Sequence, residues 1–129
     1  MYNPLFWIEW LDRLDRVLTS ARQDVATLKR VVSPRTLEAI ERSKRQLAAL
    51  LNDLCLLDRD VLAVGTTQNA AESLQKTLEA TVAQLGSLAG IPAASTPAVL
   101  DRLLAASDSA LRDSCYEAAM LLAPSRRRA

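Results

Sequence analysis

The sequence predicts an all-α protein, an antiparallel up-down-up-down four-helix bundle with heptad-like seams. Leu and Ala dominate the apolar half of its 129 residues while Val and Ile are few, so helix formers far outnumber strand formers. At Asn3-Pro4, Ser33-Pro34 and Thr96-Pro97 a capping side chain stands before a proline, the pattern of a helix start. Apolar residues also recur in alternating steps of four and three along most of the chain.

The first helix is expected over about 4–32. Its seam is Trp7, Leu11, Leu14, Leu18, Ala21, Val25, Leu28 and Val32, and Tyr2 with Trp7 forms a hydrophobic staple at its entry. The second, over about 34–64, carries Ile40, Ser43, Leu47, Leu50, Leu54, Leu57, Val61 and Val64, with Val32 and Leu37 as its staple. Gly65 then stops the helix, and Asn69 with Glu72 resembles a capping box for a third helix over about 68–89. That helix shows Ala71, Leu74, Leu78, Thr81, Leu85 and Leu88 on one side. The fourth, over about 97–123, has a seam diluted by small polar residues: Leu100, Leu104, Ser107, Leu111, Ser114, Ala118 and Leu122. Short connections favour antiparallel neighbours, and the chain is long enough to close one core. Residues 1–124 therefore read as a single domain, followed by a short basic tail over 125–129.

Composition narrows the function more than any motif does. The chain has no histidine, which removes imidazole acid/base chemistry and the Glu-x-x-His di-iron sites that bundles of this size carry. No Gly-rich phosphate loop, CxxC pair or nucleophile with its base is spelled out, and the carboxylates are interleaved with arginines. The expectation is a protein with no catalytic residues, no metal, no cofactor and no small-molecule substrate. Net charge is +1, so an electrostatic partner has to be read by a local patch. The first sixteen residues lack a basic segment ahead of an apolar run, and Gly and Pro break the longest uncharged stretch. A cytoplasmic protein with two free thiols, Cys55 and Cys115, is expected, and the excess of Arg over Lys suggests a bacterial source.

Two surface features stand out. Four of the five aromatics fall in the first ten residues, and Phe6 and Trp10 lie beside the first seam rather than on it. Antiparallel packing brings them, with Val17, near Leu56 and Leu62 of the second helix and near Arg126, Arg127 and Arg128. This reads as an apolar docking end rimmed by arginines, fit for a partner protein or a second copy of the chain. The other feature is a basic cluster, Lys29, Arg30, Arg35, Arg42, Lys44 and Arg45, where nucleic acid or another anion could contact the first turn between helices. The resulting expectation is a non-enzymatic structural, adaptor or accessory subunit. Its alternatives are a surface-active protein that coats a membrane or hydrophobic granule, and a nucleic-acid-associated small subunit of a larger complex.

Overall fold

The computed structural model describes residues 4–56, 67–91 and 95–128, with side chains placed at 8–56, 70–91 and 95–121. Four helices account for nearly all of it: α1 (Pro4–Arg30), α2 (Pro34–Leu56), α3 (Thr67–Ala89) and α4 (Pro97–Arg128). The chain is all-α among the described residues, and its helices pack on one another. α1 lies against α2 and α4, and α3 lies against the same two; among the described residues the backbones of α1 and α3, and those of α2 and α4, do not come close to one another.

Local chemistry sets the boundaries. Ser33 caps α2: its Oγ accepts the Thr36 N–H at 3.2 Å, and its carbonyl accepts the Leu37 N–H at 3.1 Å. A residue before proline is held out of the helical region, so α1 ends at Arg30, two residues before the expected limit. The last expected member of its seam, Val32, is then left exposed. Thr96 caps α4 in the same way, its carbonyl accepting the N–H groups of Val99 and Leu100 at 3.1 Å each. α3 already begins at Thr67, so Asn69 lies inside it and the expected Asn69–Glu72 box is not its start. α4 continues to Arg128, and the residues expected as a tail are therefore helical up to that point. Residues 57–64, expected to complete the second helix, lie outside the described residues.

The seams form the core. Leu11, Leu14, Leu18, Ala21, Val25 and Leu28 of α1, Ile40, Leu47, Leu50 and Leu54 of α2, and all six seam positions of α3 are buried. Leu100 of α4 is half-buried and the side chain of Leu122 lies outside the described residues, but Leu104, Ser107, Leu111, Ser114 and Ala118 of its dilute seam, with Leu121 beside it, are buried. Close packing against α3 explains this. The Ser114 hydroxyl meets Thr81 Oγ1 at 2.7 Å. The Thr81 hydroxyl in turn faces the carbonyls of Thr77, at 2.9 Å, and Ala110, at 3.1 Å. One proton serves both carbonyls while Ser114 donates to Thr81, so this buried pair is satisfied. Ser107 Oγ, by contrast, is buried without a hydrogen-bond partner among the described residues.

These environments give opposite signs for similar substitutions. Thr81→Val should cost about 1–3 kcal/mol by orphaning its partners, whereas Ser107→Ala should be neutral or stabilising. Trp10→Ala should lose about 3–5 kcal/mol through the cavity it leaves. Urea unfolding followed by circular dichroism measures all three.

Candidate functional site

The expected docking end is only partly assembled in the described structure. Trp10 does not belong to an exposed face: it is 2 % exposed, and its indole N–H donates to the Leu50 carbonyl of α2 at 3.2 Å. Trp10, Leu14 and Val17 follow one another at helical spacing on the side of α1 that meets α2. The second apolar stripe is thus absorbed into the α1–α2 contact, where the indole buries its ring and finds a polar partner. Val17 is half-buried and packs against the core. Leu56 does stand out, at 77 % exposed. The side chain of Phe6, all of Leu62 and the side chains of Arg126, Arg127 and Arg128 lie outside the described residues.

Beside Val17 lies a feature that the periodicity did not signal. An open groove of about 360 Å³ runs between α1 and α2, lined by Arg13, Arg16 and Val17 from one helix and Gln46, Ala49, Leu50 and Asp53 from the other. Its floor is apolar and its edges are charged, the format in which a partner's apolar side chain is received and oriented. Ala49 is the smallest residue of the groove's lining, and seam analysis overlooks a small residue on the outer flank of a helix.

The basic cluster carries acidic partners from its own molecule. Lys29 of α1 pairs with Asp108 of α4. Lys44 and Arg45 both reach Glu41, at 3.4 Å each. Arg42 lies near Asp24, whose carboxyl is pushed up by burial and pulled back by that guanidinium. Arg30 and Arg35 are exposed. Such pairs at the surface are worth about 0–1 kcal/mol each, so they neutralise the patch more than they stabilise the fold. Lys44 has a further role: its aliphatic stem lies over Gly86 of α3 and covers the surface there.

Among the described residues no three His, Cys, Asp or Glu side chains come together as a metal-binding group, and no helix is long and apolar enough to cross a membrane. Both cysteines are free, Cys55 exposed and Cys115 half-buried. Burial pushes the Cys115 thiol up; the Arg22 guanidinium, which hydrogen-bonds it, pulls it down, and Asp15 adds a smaller push upward. Comparison with protein-family models, with curated proteins and with solved structures gives no match to this chain.

The two thiols should therefore differ in reactivity. At neutral pH iodoacetamide should modify Cys55 first and Cys115 about tenfold or more slowly, since thiolate and access are both needed. Peptide mass spectrometry over a time course reads the two rates.

Proposed function

We propose that this protein is a non-enzymatic helical subunit, structural or adaptor in role, which binds a protein partner or a second copy through the end where α1 begins and α2 finishes. The groove between α1 and α2 carries this reading. It offers an apolar floor of Val17, Ala49 and Leu50 between the charged edges Arg13, Arg16 and Asp53, with exposed Leu56 further along α2. A partner helix placing one apolar side chain in the groove and a second over Leu56 would match that spacing, and the mixed charges at the rim would orient it.

We also propose the antiparallel up-down-up-down order for the bundle. Contacts between neighbouring helices support it, because residue numbers rise on one helix as they fall on the other. Between α1 and α2, Trp10 is with Leu50 and Asp24 near Arg42. Between α1 and α4, Arg22 is with Cys115 and Lys29 with Asp108. Between α3 and α4, Thr77 donates to Glu117 at 2.8 Å, and Thr81 reaches Ser114 and Ala110. In this order Leu56, six residues beyond Leu50, stands level with the first turns of α1. Phe6 and Leu56 then share one end, as the docking reading requires.

The surface-coating and nucleic-acid alternatives have less behind them. The amphipathic faces are already buried in one another, and four of the six clustered cations have an acidic neighbour.

Ala49→Glu with Leu56→Asp tests the docking reading, because both side chains are exposed and neither is needed to close the core. Helicity and melting temperature should stay near those of the unaltered protein, while crosslinks from a photoreactive probe on Cys55 to another chain disappear. Crosslinks that persist in the variant, or a probe that never reaches another chain, would sink the proposal.

A further inference from the structure

The outer face of α4 has an order of residues that its own bundle does not use. Asp101 and Arg102 are followed eleven residues later by Arg112 and Asp113, so the charges read acid-base and then base-acid. Eleven residues is about three helical turns. Asp101 and Arg112 therefore share one edge of the outer face, and Arg102 and Asp113 share the other. All four are exposed, and none has an ion-pair partner among the described residues. Between them the face is lined by the small exposed residues Ala105 and Ser109. Beyond them it carries Tyr116, 66 % exposed, at one end and Ala98 with Val99 at the other.

We infer that this face pairs with the same face of a second copy, α4 against α4, antiparallel about a two-fold axis level with residue 107. In an antiparallel two-fold pair, each edge of one helix meets the same edge of its mate, read in the opposite direction. Asp101 then lies opposite Arg112 of the second copy, and Arg102 opposite its Asp113, each pairing occurring twice. The same register sets Ala105 against Ser109, which lets the helices approach closely, and lays Tyr116 over Ala98 beside Val99. Thus one axis position matches charge at four points, small with small at the centre, and large with small at both ends. A parallel pairing in register would instead set one edge against the other, Asp101 beside Arg102 and Arg112 beside Asp113 of the mate, and a D101R/R112D double variant would not repair that arrangement.

One pair of helices buries less than the roughly 1,200–2,000 Å² of a stable complex, so the dimer is concentration-dependent. Added salt should weaken it by screening. The inference goes beyond the groove reading and uses a different face, so Ala49→Glu should leave it intact.

Charge reversal tests the register. Asp101→Arg places Arg opposite Arg112 of the mate, and Arg112→Asp places Asp opposite Asp101. Either change alone should weaken self-association about tenfold or more. The double variant D101R/R112D restores both pairs and should recover the dimer; an equimolar mixture of the two single variants should form a heterodimer. Sedimentation velocity over a wide concentration range reads the first results, and native mass spectrometry with one chain isotopically labelled reads the last. Circular dichroism checks that the exposed substitutions leave the fold unchanged. A wild-type protein that stays monomeric at every concentration, single variants that associate like wild type, or a double variant that does not recover would each overturn the proposal.

Discussion

Each helix of this chain carries a mainly apolar stripe, and a stripe left in water costs more than a helix of 23 to 32 residues recovers from its own hydrogen bonds. The four stripes can be dried only by one another. That mutual burial is the constraint on which the rest of the molecule depends. It fixes how each helix is rotated, and so decides which residues are left outside to meet anything else. The three-residue connection Val31–Ser33 and the proline-led starts of α2 and α4 serve it by ending one helix and beginning the next where the stripes can meet.

The core is not uniformly aliphatic, since four of its buried residues carry hydroxyls. Ser43, Thr81, Ser107 and Ser114 occupy seam positions that leucine fills elsewhere. Small hydroxylated residues trade buried apolar area for close approach, and the trade costs least where the hydroxyl finds an acceptor, as that of Thr81 does and that of Ser107 does not among the described residues. Thr81 and Ser114 do so through the backbone of both helices, which also ties the register of α3 to that of α4. Register is the property that leucine contacts specify least, since one leucine layer resembles the next. The indole bond from Trp10 to Leu50 and the Lys29–Asp108 pair do the same for α1 against α2 and α4.

With the interior settled, the surfaces differ in character. Several charged residues of α1 and α2 pair within the molecule, and the basic cluster is partly offset by Asp24, Glu41 and Asp108. The α1–α2 groove and the outer face of α4 are less occupied, one a concave apolar strip between charges and the other a row of small residues framed by unpaired charges. As proposed surfaces of association, both would act through shape, burial and the sign of nearby charge. They lie on different sides of the bundle, so an occupant of one would leave the other open.

The sequence by itself determined the helices and their inner faces, because a period of 3.6 residues and a cap before proline are local properties that need no knowledge of the neighbours. Leu11 to Leu28, Ile40 to Leu54 and Ala71 to Leu88 could all be marked as core on that basis, and so could the serines of α4. Tertiary structure alone decided the fate of residues beside a seam. Trp10 and Tyr116 are both aromatics off the main stripe, yet one is sealed against α2 and the other stands in solvent. Helical spacing fixes the angle at which a side chain leaves its helix, but the width of the contact with the next helix decides whether that angle ends in the core or outside. The groove follows the same logic: it is lined by residues of both α1 and α2, a juxtaposition that exists only once the two helices are side by side.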